Sequence, residues 1–104
     1  MYKSSLPMRK RRNGGLNEMS LAQLVEKVAN KHNLRINILP NGVIIIIKDN
    51  LAYVQIAAVR NVYYVRYLTK DEAYILHSLN EELIERIINE KLDESENVLK
   101  ISDT

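Results

Sequence analysis

The 104-residue chain has no cysteine, phenylalanine or tryptophan, and it has only three glycines and two prolines. Without cysteine there is no disulfide framework and no thiolate for metal binding or nucleophilic catalysis. Three glycines are too few for a phosphate-binding loop, and Gly14-Gly15 precedes no strand. No apolar run approaches the ~20 residues of a membrane span, and none follows the basic N-terminus as in a signal peptide. We therefore expect a cytoplasmic protein that uses no membrane.

The charges are divided unevenly along the chain, although the formal net charge is only +2. Residues 1–70 carry twelve Lys/Arg and three acidic residues, whereas residues 71–104 carry ten Asp/Glu and three basic residues. Such asymmetry is typical of a protein with one side facing a polyanion. A solvated surface on which positive and negative side chains neutralise each other would give the same charge distribution along the sequence. Abundant Ile, Asn, Lys and Tyr also suit an AT-rich genome, such as that of a virus or a thermophile.

Three segments follow from composition. Residues 1–17 show no apolar periodicity and contain four adjacent cations, Arg9, Lys10, Arg11 and Arg12. These cations repel one another unless an anion neutralises them, so we predict a flexible basic arm that contacts phosphate. A solubilising tail is the alternative. Residues 18–92 form a single α+β domain in this interpretation, and residues 93–104 form an acidic tail in which 98–101 would suit a short strand.

Two capping boxes predict the starts of two helices. Ser20 with Gln23 begins a helix that runs to about His32, since Leu21, Leu24, Val25, Val28 and Ala29 recur at helical spacing. Thr69 with Glu72 begins a second helix that extends to about Leu92. Ser78 to Glu81 resembles another N-cap, so residues 69–92 form either one helix or two.

Between the helices, alternating apolar residues and turn dipeptides predict four strands. Five consecutive β-branched residues, 43–47, stand between Asn41-Gly42 and Asp49-Asn50. Two-residue turns at these dipeptides and at Arg60-Asn61 set the predicted register, which places Ile38 opposite Ile45, Ile45 opposite Val54, and Ile56 opposite Val65. The predicted fold class is α+β, a four-stranded antiparallel β-meander with two helices packed on one face, in the order α-β-β-β-β-α.

That register divides the strands into two faces. The predicted core face comprises Ile36, Ile38, Val43, Ile45, Ile47, Ala52, Val54, Ile56, Ala58, Tyr63, Val65 and Tyr67. The predicted uncovered face comprises Arg35, Asn37, Leu39, Ile44, Ile46, Lys48, Tyr53, Gln55, Tyr64 and Arg66.

The sequence offers no catalytic constellation. His32 and His77 lie far apart, with no metal-ligand spacing around either. The order of helix, strand, Pro-Asn-Gly and strand resembles the core of the PD-(D/E)xK nucleases. The positions where that family places its carboxylates and lysine are Asn41, Gln55 and Ala57 here, which cannot hold a divalent ion for hydrolysis. We therefore predict no enzyme, no catalytic residue, no metal, no cofactor and no small-molecule ligand.

Two functions fit these features. The first is DNA or RNA binding by the basic arm and a basic, tyrosine-bearing sheet face, with contacts from Arg9, Lys10, Arg11, Arg12, Arg35, Lys48, Tyr53, Tyr64 and Arg66. The second is a homodimeric interaction or regulatory module whose interface comprises Leu39, Ile44, Ile46 and Leu51, because an exposed apolar patch usually marks an interface. In a variant of the second, the acidic half mimics a polyanion, as in a viral inhibitor of a host protein.

Overall fold

A computed structural model describes residues 20–95 and 98–101, and within these ranges the chain forms one antiparallel sheet with helices on a single face. The strands are β1 (Arg35–Ile38), β2 (Ile44–Lys48), β3 (Leu51–Val59), β4 (Val62–Tyr67), β5 (Glu72–Leu76) and β6 (Val98–Ile101), and they lie side by side in chain order. The helices are α1 (Leu21–Lys31), α2 (Glu81–Ile88) and a short 3-10 helix (Leu92–Glu94). The predicted α+β class with an antiparallel meander is confirmed, but the sheet has six strands rather than four.

Helix α1 begins where the capping box predicts. The Ser20 hydroxyl accepts a hydrogen bond from the Gln23 backbone N–H at 3.2 Å, and the Gln23 side chain accepts one from the Ser20 N–H at 3.0 Å. The apolar stripe of this helix then buries Val25, Val28 and Ala29 against the sheet. The spacing of apolar residues therefore orients α1 correctly.

Two of the three predicted hairpin turns are confirmed. Asp49 and Asn50 both have positive φ, 53° and 65°, as a two-residue type I′ turn requires, and Lys48 pairs with Leu51. At the next turn Arg60 has a φ of 58°, and the flanking residues pair as predicted through to Ile56 opposite Val65.

The first hairpin differs from the prediction by one residue. Ile38 lies opposite Ile44 rather than Ile45, because the loop has three residues instead of two. Its turn is closed by a hydrogen bond from Gly42 N to Leu39 O at 2.8 Å, and Leu39 N then donates to Val43 O at 2.9 Å. Pro40 suits the second position of such a turn, and Gly42, at φ 89°, adopts the left-handed conformation that closes it.

A β-bulge in β3 is the second difference from the predicted register. Ile47 lies opposite Ala52 but Ile46 lies opposite Val54, so Tyr53 is an extra residue with no partner on β2. The two deviations together reverse the predicted faces of β2. Ile44 and Ile46 are only 1% and 0% exposed and belong to the core of the monomer, whereas Ile45 and Ile47 face the other way.

The predicted start of the second helix at Thr69 is wrong. Residues 68–71 form a turn, and β5 follows it with Glu72 opposite Tyr67. The helix begins later, where the Asn80 side chain accepts a hydrogen bond from Leu83 N at 2.8 Å, near the alternative start that the sequence indicates. Strand β6 lies within the segment predicted as an acidic tail and pairs with β5.

The core lies between the sheet and the helices. Val25 and Val28 of α1 and Ile84 and Ile87 of α2 pack against the helix-facing side chains of the strands, including Tyr67. Polar contacts also link the helices: Lys27 Nζ and Lys31 Nζ form ion pairs with Glu81 Oε2 at 2.9 Å and 3.6 Å, and a hydrogen bond joins His32 Nε2 and Glu85 Oε1 at 2.6 Å. The two helices therefore form one layer on one side of the sheet.

Candidate functional site

The opposite side of the sheet, here called the open face, has no described helix packed on it. The helices bury their apolar residues in a single cluster with Ile44, Ile46 and their strand neighbours, on the other side. Alternation along each strand and the observed register place these residues on the open face: Arg35, Asn37, Ile45, Ile47, Gln55, Ala57, Tyr64, Arg66, Ile75, Leu99 and Ile101.

Polar side chains form a row across the open face. Asn37 lies opposite Ile45, Ile45 lies opposite Gln55, and Gln55 lies opposite Arg66, so one row crosses β1 to β4. Neighbouring strands are about 4.8 Å apart, so Gln55 and Arg66 extend from directly opposed positions of β3 and β4. The row therefore combines hydrogen-bond donors and acceptors with a fixed positive charge.

Tyr64 occupies the next row, opposite Ala57 on β3 and Ile75 on β5. Its ring is half-buried, and the residue opposite it on β3, Ala57, has a small side chain. Arg35 lies on the edge strand opposite Ile47, where its Nη2 donates a hydrogen bond to the Asn50 side chain at 3.0 Å. The open face thus carries an aromatic ring and an arginine at successive outward positions of β4, Tyr64 and Arg66, and a second arginine, Arg35, on the edge strand β1.

Within the described ranges, no carboxylate occupies a strand position on the open face. Glu72 is the one acidic residue in the strands, and it lies opposite the buried Tyr67 on the helix-facing side. There it accepts a hydrogen bond from the Tyr74 hydroxyl at 2.9 Å and pairs with Lys70, and these contacts hold the pKa of its carboxyl below the usual range. The other described acidic residues lie in helices, turns and connecting segments. The described strand positions of the open face therefore carry positive charge without a carboxylate, whereas on the helix side cations and carboxylates pair, as Lys70 does with Glu72 and Glu90.

The structure divides the residues predicted to bind nucleic acid. Arg35, Tyr64 and Arg66 lie together on the open face. Lys48 and Tyr53 do not, because β2 is reversed and Tyr53 is the bulged residue; the Lys48 ammonium lies 5.0 Å from the centre of the Tyr53 ring on the helix side. Tyr53 is 5% exposed and cannot stack on a base. Arg9, Lys10, Arg11 and Arg12 lie outside the described residues.

The predicted interface residues are also divided. Ile44 and Ile46 are core residues and offer no surface to a partner. Leu39 is half-buried in the first hairpin turn, and Leu51, next to the Asp49–Asn50 turn, is 64% exposed. The outward-facing apolar residues of β2 are instead Ile45 and Ile47.

The tyrosines on the helix side stabilise the end of α2. The Tyr67 hydroxyl donates to the Ile87 carbonyl, and the Tyr53 hydroxyl donates to the Ile88 carbonyl at 3.2 Å and to the Glu90 carboxylate. Burial raises the pKa of both hydroxyls above the usual range, so they remain protonated donors. They donate to backbone carbonyls in the last turn of α2, where a helix lacks its regular N–H partners. Their role is therefore structural.

Three open-face residues of β5 and β6, Ile75, Leu99 and Ile101, are absent from the face predicted from the sequence. Ile75 lies in a segment predicted as a helix, and Leu99 and Ile101 lie in a predicted tail whose residues 98–101 would suit a short strand. The alternation of Glu72, Tyr74 and Leu76 with Ala73 and Ile75 is the signal that identifies β5, because it has the period of two of a strand.

The described residues contain no group of three or more His, Asp or Glu side chains placed to hold a metal ion. None of their helices has the length and apolar character needed to cross a membrane. The chain matches no protein family, no curated protein and no solved structure. The open face is therefore the candidate site, on the grounds of its own geometry and charge.

Proposed function

We propose that this protein binds nucleic acid without catalysing a reaction, using the open face together with the basic segment that contains Arg9 to Arg12. The observation that carries the proposal is the charge of the open face, where the described strand positions include arginines on β1 and β4 and no carboxylate. Guanidinium groups form charge-assisted hydrogen bonds with phosphate oxygens, and a neighbouring carboxylate would oppose this binding.

Neutral groups on the same face supply the second part of a nucleic-acid contact. Tyr64 offers an aromatic ring for stacking, and Asn37 and Gln55 offer amides that can donate to and accept from base edges. Phosphate contacts position such a ligand, and base contacts add affinity beyond charge. The open face therefore holds both types of group within one surface.

The test is the salt dependence of binding to a fluorescently labelled oligonucleotide, measured by anisotropy. Arg35→Gln and Arg66→Gln should each weaken binding and reduce the slope of log K against log salt by about 0.7–0.9, the value for one lost phosphate contact. Lys48→Gln is the matched control, because Lys48 lies on the helix side over Tyr53. No binding at low salt, or an equal loss with Lys48→Gln, would refute binding by the open face.

The basic segment is tested separately in the full chain. Replacing Arg9, Lys10, Arg11 and Arg12 together by glutamine should reduce the same slope by up to about 3–4 if each cation contacts a phosphate. The thermal unfolding midpoint should stay constant, which separates lost contacts from lost folding. An unchanged slope would limit the site to the sheet.

A homodimer formed through the open face is the second candidate, and a specific observation favours it. Ile45, Ile47, Ile75 and Leu99 share this face, and Leu99 is 59% exposed. Six strands present roughly 500 Å² of projected area per copy, so two copies reach the ~1,000 Å² of a specific interface. Light scattering with and without an oligonucleotide tests it. A dimer that dissociates on adding the oligonucleotide places both ligands on one face, and a strict monomer at high concentration rejects the dimer.

A further inference from the structure

The width of the open face limits the form of nucleic acid that it can contact. Six strands about 4.8 Å apart place β1 and β6 roughly 24 Å from each other. The major groove of a DNA duplex is only about 12 Å wide and admits one helix or a two-stranded ribbon. The open face therefore cannot reach base edges in the groove of an undeformed duplex.

The chemistry of the face sets a second limit. Its rows alternate polar side chains with aliphatic ones, with Ile45 between Asn37 and Gln55, and Ile75 beside Tyr64. The outside of a duplex presents charged phosphates, and packing them against aliphatic side chains removes water from both without new hydrogen bonds. An unpaired base presents a flat apolar surface and a free polar edge. A single strand thus matches both types of side chain.

We infer that the ligand of the open face is single-stranded nucleic acid, with one base stacked on Tyr64 and the polar edge of a neighbouring base bonded by Gln55 or Asn37. This inference rests on the proposed function and specifies its ligand. Arg66 follows Tyr64 at the next outward position of β4, about 7 Å along the strand, which suits a phosphate next to the stacked base. Arg35, at the edge of β1, contacts the strand where it leaves the sheet.

The experiment compares three labelled probes of about 12 nucleotides: a DNA single strand, an RNA single strand of the same sequence, and the DNA duplex. We expect at least one single strand to bind about tenfold or more tightly than the duplex at the same salt concentration. Tyr64→Leu should weaken this binding by about 5- to 150-fold, the range for loss of one stacked base. Tyr64→Phe keeps the ring and should retain the affinity. Circular dichroism confirms the fold of each variant.

The outcomes separate the inference from the proposed function. If the duplex binds as tightly as the single strands, the inference is overturned. If Arg35→Gln also weakens that duplex binding, the proposed nucleic-acid binding by the open face still holds. Equal affinity of Tyr64→Leu and the unaltered protein for a single strand also overturns it. No binding of any probe refutes both. Equal affinity for the two single strands supports recognition of bases and phosphates, and preference for RNA supports an added contact to the 2′-hydroxyl.

Discussion

The Tyr53 hydroxyl donates a hydrogen bond to the Glu90 carboxylate at 2.5 Å, which joins the bulge of β3 to the residues just beyond α2. Glu90 also accepts a hydrogen bond from Lys70 Nζ at 2.6 Å, from the turn before β5. One carboxylate therefore links three parts of the chain that are distant in sequence. The bulge allows this contact, because a regular strand would direct Tyr53 toward the open face.

The first prediction concerns acid stability. Hydrogen bonds from Lys70 and then Tyr53 hold the pKa of Glu90 below its usual range. Its stabilising contribution is therefore complete above the unfolded pKa of about 4.3 and is lost as the pH falls through the lower folded pKa. Glu90→Gln should lower the unfolding midpoint at pH 7 by roughly 2–6 °C, because the carboxylate is partly exposed.

The measurement is the thermal unfolding midpoint from pH 7 to pH 3, followed by circular dichroism. The difference between Glu90→Gln and the unaltered protein should shrink toward pH 3. Glu26→Gln on the exposed side of α1 is the control for losing one negative charge. A difference that stays constant over the whole range would contradict the ion pair as its source.

The second prediction tests the faces of β2 with adjacent isoleucines. Ile46→Ala removes a fully buried side chain and should destabilise the protein by about 2–4 kcal/mol. Ile47→Ala alters a half-buried residue on the open face and should cost at most about 1 kcal/mol. Urea denaturation of both variants provides the comparison. The reverse order of the two values would restore the face assignment that the simple hairpin register predicts.

The third prediction concerns the start of α2. Asn80→Ala removes the side chain that accepts from Leu83 N and should cost about 1 kcal/mol in free energy of unfolding. Thr69→Ala is the matched test, since this residue lies in a turn and should change the free energy by less than about 0.5 kcal/mol. A larger loss at Thr69 in urea denaturation would indicate that the earlier capping box forms.

Local turn chemistry determined how much of the sheet was predictable. Asp49-Asn50 tolerates positive φ at both positions, so the type I′ turn and the pairs beside it follow from the sequence. The register of the first hairpin was predicted wrongly because Pro40 also belongs to the turn, which makes the loop one residue longer. The bulge at Tyr53 depends on contacts with Ile88 and Glu90, which are distant in sequence, and a local pattern does not reveal them.

The second helix shows how two patterns compete for one segment. Residues 69–76 combine a capping box, Thr69 with Glu72, with an alternation that suits a strand. Residues 72–76 form a strand because the edge of β4 offers backbone hydrogen-bond partners. A capping box contributes only about 1 kcal/mol, which is less than five paired residues and buried Tyr74 and Leu76 contribute together. Tertiary contacts therefore determined the secondary structure of a segment whose local sequence suits both a helix and a strand.

The candidate site was only partly predictable for the same reason. Arg35, Tyr64 and Arg66 were assigned to the correct face because β1 and β4 kept their expected alternation. Lys48 was assigned to the wrong face because the one-residue shift in the first hairpin changes the register of all of β2. Tyr53 was assigned to the wrong face because it is the bulged residue of β3. A register error of one residue is sufficient to exchange the core and the surface of a strand.

The consecutive order of the six strands also has a kinetic consequence. Each strand pairs with its neighbours in the sequence, so most of the sheet forms by closing short loops, which costs little chain entropy. Helix α1 is different, because its contact from His32 to Glu85 spans 53 residues. Folding should therefore proceed by addition of one hairpin after another, with the docking of α1 as the step that closes the longest loop.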